Sequence, residues 1–325
     1  MRFVFLGDVM LGRLVNEHLA TAPPEYPWGD TLSLLRSADA LFINLECVLA
    51  DRGDPWPQKM FTFRSDAKNV AVLQTARVTA ASLANNHALD YGAEALLECC
   101  ATLRAHGICP AGAGPSIDAA REPAACAVGE VRVAFVAFTD DVPAWEAGPA
   151  APGIFHVPLT VPPKTESPRL GGLLRIIEDA KRRSDIVIVS AHWGPNWGAA
   201  PLAEHVDAAH LLVERGADVV FGHSSHIVRG VEIYRDRPIL YSCGDYVDDY
   251  AVDDVQRNDQ ACIFCLDYDR DRLRQVLLIP TLIARGQARR AGGAERGKIL
   301  RKVQALCARL GTAAHEVPEG LRIAP

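Results

Sequence analysis

The sequence lacks an excess of positive charge, which argues against a surface for nucleic acid or anionic membranes. Its 325 residues include 34 Lys and Arg against 40 Asp and Glu, a formal net charge of -6. Binding to phosphate groups depends on clustered Lys and Arg. The one basic-leaning stretch, residues 285–298, is rich in Gly and Ala and predicts a solvated linker or a helix start. We therefore expect no nucleic-acid partner.

The sequence also lacks a long apolar run at its start and a regular cysteine framework. Asp8 interrupts the apolar residues 3–7, a run far shorter than the roughly 20 residues of a membrane span. We expect a cytoplasmic protein with no membrane segment. The nine cysteines favour reduced thiols over disulfides. Cys262 and Cys265 have redox or zinc spacing, but they lie in an apolar run without a second pair, which predicts core thiols.

What is present is an alternation of short apolar runs with helical patterns, which predicts an α/β layered fold. The runs typical of strands covered on both faces are residues 2–6, 40–44, 78–84, 131–138, 185–192 and 218–222. The helical patterns are residues 34–40, 67–76, 92–107, 170–184 and 202–217. Beyond Gly222, residues 227–244 and 261–284 read as consecutive strands that complete a second, partly antiparallel sheet.

Polar side chains follow these predicted strands at the points where the strands end. They are Asp8, Asn44, Glu46, Asn85, Asn86, His87, His192, His223 and His226. Because the carboxyl ends of strands in an open α/β sheet face one crevice, we expect these side chains to converge there. Mixed oxygen and nitrogen ligands suit a divalent metal such as Mn, Fe or Zn, whereas Ca would require oxygen ligands to dominate.

The motifs GDVMLGR, NLE, ANNHALDYG, AHWG, GHSSH and RPILYSCGDYVDDY resemble, in this order, those of the CapA family of poly-γ-glutamate synthesis proteins. The resemblance extends to about residue 250. That family is similar to the calcineurin-like metallophosphoesterases, so it implies a four-layer α/β sandwich of two packed sheets flanked by helices. We predict that this domain spans residues 1–290 and that residues 291–325 form a C-terminal helical extension packed on it.

Carried over by position, the resemblance implies a metal site with the ligands Asp8, Glu46, Asn86, His192, His223 and His226. His87 occupies the place of the phosphoesterase catalytic histidine. A phosphoesterase would have an Asp-x-His at Asp8, but Val9 and Met10 follow it here, so one imidazole ligand is absent. This absence speaks against phosphoester hydrolysis.

Histidines beside carboxylates act as general acids and bases near neutral pH. Asp8, Asp90 and Asp245 are candidates to orient His87 and His226. Two such pairs on opposite sides of one carbon would suit proton removal and return at an amino-acid Cα, and the wider CapA-like group includes a lasso-peptide epimerase. Substrate contacts are predicted for Arg13, Asn85, Trp193, Trp197 and Ser224.

Three functions remain open. The first is a metal-dependent enzyme that modifies a peptide, in its sharpest form by Cα epimerisation. The second is a γ-glutamyl or amide hydrolase, or another enzyme of poly-γ-glutamate synthesis. The third is a protein that binds a polyanion or a peptide without turnover, although such a protein would not need a general acid at His87. The predicted partner is a peptide or a poly-γ-glutamate-like chain.

Overall fold

The computed structural model describes residues 1–325, and its helices and strands alternate as the sequence predicts. The strands, numbered β1 to β20 in chain order, are Arg2–Val9, Ala40–Leu45, Val48–Leu49, Arg64–Ser65, Ala80–Ser82, Cys109–Ala111, Ala113–Gly114, Ala124–Val128, Val131–Thr139, Gly153–Ile154, Ile186–His192, Val219–His223, Val228–Tyr234, Arg237–Cys243, Asp245–Val247, Gln260–Asp269, Arg272–Ile283, Ala288–Arg290, Ala314–Val317 and Gly320–Ile323. The α-helices, α1 to α8, are Arg13–Leu19, Leu32–Arg36, Val70–Thr75, Gly92–Ala105, Ile117–Arg121, Pro168–Arg183, Ala203–Glu214 and Gly293–Arg309. Short 3₁₀ helices are Tyr26–Thr31, Ala67–Asn69 and Pro143–Trp145.

Two mixed sheets form the centre of the molecule. The first sheet has ten strands in the order β19-β20-β17-β16-β1-β2-β5-β6, with β15 paired to β1 and β18 paired to β17. The second has six strands in the order β13-β14-β12-β11-β9-β8. Strands β1, β2, β5 and β6 run parallel in the first sheet, and β9, β11, β12 and β14 run parallel in the second. Each sheet therefore has one edge to which consecutive strands bring their carboxyl ends.

Three hydrophobic clusters separate four layers. Phe42 and Phe135 belong to the cluster between the two sheets. Leu41, on the opposite face of its sheet, packs in the cluster that includes helix residues such as Leu96. Val189 packs on the outer side of the second sheet with residues of α6 and α7. The predicted four-layer α/β sandwich of two sheets between helices is confirmed.

The prediction that the strands after Gly222 complete the second sheet is only half right. Strands β13 and β14 do join it. Strands β16 and β17 instead join the first sheet, where Phe264 pairs with Phe5 of β1. The side chain of Phe264 belongs to the cluster between the sheets, a face that an apolar strand from either sheet could supply. Cys262 and Cys265 are buried free thiols in this strand, as predicted.

The C-terminal segment covers one side of the sandwich. Helix α8 contributes Leu300 and Val303 to the cluster between the sheets, and the hairpin β19-β20 pairs with β17 at the edge of the first sheet. A boundary at residue 290 stays a prediction. The chain contains no helix with the length and apolar character needed to cross a membrane.

Candidate active site

Strand register brings the polar strand ends to one place. Asp8 of β1 lies opposite Asn44 of β2 on one side and Asp245 of β15 on the other. In the second sheet His192 of β11 lies opposite His223 of β12. Gly7 permits the close approach of the chain at Asp8, since a Cβ at Gly7 would lie 1.7 Å from the carbonyl oxygen of Gly244.

Three of these side chains form a compact cluster, here called the metal cluster: Asp8, His192 and His223. Their candidate ligand atoms all lie within 4.8 Å of one another. The Nδ1 atoms of the two histidines are 3.0 Å apart. Asp8 Oδ2 and His192 Nε2 are buried and have no hydrogen-bond partner in the protein. Buried polar atoms are normally paired, so these free donor atoms fit a bound divalent cation with oxygen and nitrogen ligands.

The electrostatics of the metal cluster also fit a cation. Burial raises the pKa of Asp8 to about 6 and raises the pKa of Glu46 well above its usual value, in each case because a buried carboxylate loses hydration. Burial lowers the pKa of His223 to about 3, and it lowers that of His192 well below the ordinary value. Both imidazoles are therefore neutral, the form that binds metal.

Glu46 lies beside the metal cluster, and Asn86 lines the neighbouring cavity. Glu46 Oε2 is 3.8 Å from His192 Nδ1, and Glu46 Oε1 is 3.8 Å from His87 Nε2. Asn86 Oδ1 is buried and has no hydrogen-bond partner. Asn44 joins the carboxylates, because its Nδ2 donates to Asp8 Oδ1 at 2.7 Å and to Glu46 Oε2 at 2.5 Å.

Two histidine–aspartate pairs flank the cluster. His87 Nδ1 lies 2.6 Å from Asp90 Oδ2, and His226 Nδ1 lies 2.8 Å from Asp245 Oδ1. A carboxylate accepts from Nδ1–H, so Nε2 of each ring is left as the acceptor. Burial lowers the pKa of His87 to about 4, which keeps its imidazole neutral and able to accept a proton.

Both pairs face one cavity of about 470 Å³. Its lining consists of Arg13, Lys59, Met60, Phe61, Phe63, Asn86, His87, Asn196, Trp197, His226, Tyr250, Ala251 and Asn258. Phe63 stacks on the imidazole of His87 with ring centroids 4.1 Å apart. The volume suits a small ligand or a short segment of a chain.

Three of the predicted substrate contacts lie outside the lining of the cavity. Trp193 is 1% exposed, and its indole N–H donates to the carbonyl of Tyr241 at 2.9 Å. Trp193 directly follows β11 and continues the alternation of its side chains, so it packs with Val189 and the outer helices while its neighbour His192 faces the site. Trp197, by contrast, lines the cavity, as does Arg13.

Asn85 and Ser224 are the other two. Asn85 is fully buried, and its Nδ2 donates to Asn44 Oδ1 and to the carbonyl of Leu45, while its Oδ1 accepts from the backbone N–H of His87. Ser224 is buried and donates its hydroxyl to the carbonyl of Gly194. Both residues hold the site together without reaching the cavity.

Sequence reasoning missed Lys59, Tyr250 and Asn258 as cavity residues, and Asn44 as the bridge between carboxylates. Lys59 lies in the long connection between β3 and β4, where no periodic pattern indicates its direction. Tyr250 and Asn258 follow β15 in irregular backbone. Asn44, at the end of a predicted strand, is among the side chains expected to converge, and only its role as a bridge was not predicted.

A four-layer sandwich with histidines and carboxylates at the strand ends places the protein in the class of calcineurin-like metallophosphoesterase folds. Within this class, residues 2–250 match the family described as bacterial capsule synthesis protein PGA_cap, and the chain belongs to that family. The resemblance to the CapA proteins is thereby confirmed.

Several relatives carry names from polymer synthesis. A probable polyglutamine synthesis accessory protein of Mycobacterium tuberculosis is 39% identical over 252 residues, which cover 75% of this chain and 65% of that protein. The PGA biosynthesis protein CapA of Bacillus subtilis is 28% identical over 247 residues, which cover 75% of this chain and 62% of that protein. The chain thus spans less than two thirds of the length of these relatives.

A solved structure supports the fold alone. The crystal structure of a hypothetical protein from Thermus thermophilus superposes with a TM-score of 0.50 at 16% sequence identity. The match covers 86% of this chain and 98% of that chain.

Proposed function

We propose that the protein is a metal-dependent enzyme that acts on a peptide or a poly-γ-glutamate-like chain by the acid/base chemistry of two histidine–aspartate pairs. The observation that carries this proposal is that His87 and His226, each held by an aspartate at Nδ1, line the same cavity. Imidazoles that face a substrate cavity are the usual groups for proton transfer near neutral pH.

The metal would be held by Asp8, His192 and His223, with Glu46 beside them. A divalent cation bound there would supply positive charge that polarises a substrate carbonyl or neutralises a substrate carboxylate. His226 also lies near Asp8, with 3.8 Å between Nδ1 and Oδ2. We assign it to proton transfer because its Nδ1 is engaged by Asp245 and its ring lines the cavity.

The finer proposal is epimerisation of a residue at Cα. In this reaction Nε2 of one histidine, as the neutral imidazole, removes the Cα proton, and the other histidine, as the imidazolium, returns the proton of its Nε2–H to the opposite face. Asp90 and Asp245 accept from Nδ1–H of the two rings, so proton transfer takes place at Nε2, and each aspartate stabilises its ring in the imidazolium form. Phe63, stacked on His87, limits the access of water to that ring.

Hydrolysis of an amide or a γ-glutamyl bond is the second candidate. The donor set of the metal cluster favours it, since neutral imidazoles with a carboxylate are typical ligands of hydrolytic metal sites. The relatives named for PGA and polyglutamine synthesis indicate a glutamate polymer as substrate. In this reaction one histidine would protonate the leaving amine.

The fate of the Cα proton separates the two reactions. We expect candidate peptides incubated with the metal-loaded protein in heavy water to gain one deuterium at the affected residue without a change in chain length, as mass spectrometry would detect. Replacing one of the two histidines should block reaction from one stereoisomer, because each base serves one face.

Shorter products without deuterium at carbon would contradict epimerisation and support hydrolysis. If the metal-loaded protein neither exchanges the Cα proton of glutamate-containing peptides nor cleaves them, that result would count against an enzymatic role. The protein with both His87 and His226 replaced is the matched control for background exchange.

A further inference from the structure

Lys59 reaches the reacting edge of the cavity from a segment that no motif marked. Its Nζ donates to the carbonyl oxygen of Asn86 and to Asp90 Oδ1, and it lies 3.3 Å from His87 Nδ1. That Nδ1 is not free to accept, because it donates to Asp90 Oδ2. An ammonium has three N–H donors, so one of them is left without a protein acceptor.

Backbone hydrogen bonds to Asp90 hold the segment on both sides of Lys59. Phe63 donates its backbone N–H to Asp90 Oδ2 at 2.6 Å, and Trp56 donates its backbone N–H to the carbonyl of Asp90 at 2.7 Å. These bonds tie both flanks of Lys59 to the residue that orients His87. The ring of Trp145 lies 4.7 Å from Nζ. The side chain of Lys59 nevertheless keeps 23% of its surface exposed and lines the cavity.

The lining of the cavity carries two cations and no carboxylate. Lys59 and Arg13 are the lysine and arginine of the thirteen lining residues, which include no aspartate or glutamate. Outside the lining, Lys59 pairs with Asp90, and Arg13 Nε lies 3.3 Å from Asp249 Oδ2, so each cation also has a carboxylate partner in the protein. The chain as a whole, in contrast to the cavity lining, has a net charge of -6. Cations in a concave site with low-dielectric walls raise the local concentration of anionic ligands.

We propose that Lys59 is a substrate-anchoring residue that donates its remaining N–H to a carboxylate oxygen of the substrate beside the imidazole of His87. The proposal rests on the proposed function, because it names the group by which that substrate is held. Charge-assisted hydrogen bonds to carboxylates are among the stronger ones, and a lysine already held by two acceptors loses little freedom when the third bond forms. Lys59 thus selects substrates that present a carboxylate next to the reacting centre.

Binding of a small acid tests this assignment without any turnover. Isothermal titration would compare N-acetyl-L-glutamate with its uncharged counterpart N-acetyl-L-glutamine amide, on the full chain and on the variants Lys59→Met and Lys59→Arg. We expect the full chain to prefer the acid, Lys59→Met to lose about tenfold or more of the affinity for the acid and none for the amide, and Lys59→Arg to retain most of it. Lys68→Met, at an exposed lysine outside the cavity lining, should bind both probes as the unchanged chain does.

Three results would overturn the proposal: no binding of the acid at about 10 mM, equal affinity for acid and amide in the unchanged chain, or an unchanged affinity for the acid in Lys59→Met. Acid binding that survives in Lys59→Met and disappears with a chelator would mean that the carboxylate goes to a metal. If Lys59→Met does not fold, Lys59→Gln takes its place and is held to the same outcomes. Lys59-dependent acid binding without exchange or cleavage would mean that the proposed reaction fails while the anchor stands.

Discussion

Replacing His87 by glutamine is expected to lower kcat by about two to four orders of magnitude, the usual contribution of a general acid or base. Glutamine fills much of the same volume but transfers no proton. Asp90 holds His87 at Nδ1, and His87 Nε2 lies 3.8 Å from Glu46 Oε1. His87 therefore lies next to the metal cluster without belonging to it. We therefore expect the metal content and the thermal midpoint of the variant to stay close to those of the unchanged protein.

Turnover in the heavy-water assay and metal content by plasma mass spectrometry would be measured on the same preparation. His106→Gln, at the C-terminal end of α4 and outside the cavity, is the matched control and should behave as the unchanged protein does. A His87→Gln protein that loses its metal would show that His87 is a ligand. A variant with full turnover would remove His87 from the reaction.

Replacing Phe42 by alanine is expected to lower the free energy of unfolding by about 3–5 kcal/mol, the range for a buried phenylalanine truncated to alanine. Phe42 is fully buried between the two sheets. Its ring centroid lies 5.1 Å from that of Phe5 in its own sheet and 5.5 Å from that of Phe135 in the other. Neighbours on both sheets would lose contacts, and the sheets cannot close on the gap without moving.

Urea unfolding followed by circular dichroism measures this change. Phe61→Ala is the matched control, since Phe61 is 58% exposed at the rim of the cavity and its truncation should stay within about 0.5 kcal/mol. A loss below about 1 kcal/mol for Phe42→Ala would contradict the assignment of Phe42 to the central core between the sheets.

The convergence of the polar strand ends could be predicted because the apolar runs in the sequence mark the strands and the parallel arrangement of these strands brings their ends together. Asp8, Asn44, His192 and His223 each follow a short apolar run, and parallel strands in neighbouring positions carry their ends to the same edge. The face of the sheet to which each side chain points could not be predicted as well. Trp193 is predicted to contact substrate, whereas its side chain packs with the outer helices, on the face opposite to that of His192.

The pairing of strands that are distant in sequence could not be predicted from local sequence patterns. Strand β16 reads as an apolar strand, but nothing local indicates that it pairs with β1 and not with the second sheet. Lys59 was missed for a related reason. It lies in irregular backbone between two short strands, where no hydrophobic periodicity predicts the direction of its side chain. Its contacts with Asp90 and Asn86 exist only once the connection has folded over the site.

Met10 stands where the histidine of an Asp-x-His motif would be, and the structure shows how this position is used instead. Met10 is fully buried in the cluster between the first sheet and its helices, so this strand offers an apolar side chain where an Asp-x-His would offer an imidazole. The imidazoles of the metal cluster accordingly come from the second sheet, at His192 and His223. A second group of ligand atoms, those of Asp8, His226 and Asp245, also lies within 4.8 Å of one another and shares Asp8 with the metal cluster.

Anomalous diffraction from crystals of the protein soaked with Mn²⁺ or Zn²⁺ tests most directly whether the strand ends form a metal centre beneath the two histidine–aspartate pairs. We predict an anomalous peak at bonding distance, about 2.0–2.3 Å, from Asp8, His192 and His223, which disappears in the Asp8→Asn variant. Metal-soaked crystals with no peak between these three side chains, or with a peak that persists unchanged in Asp8→Asn, would contradict the account.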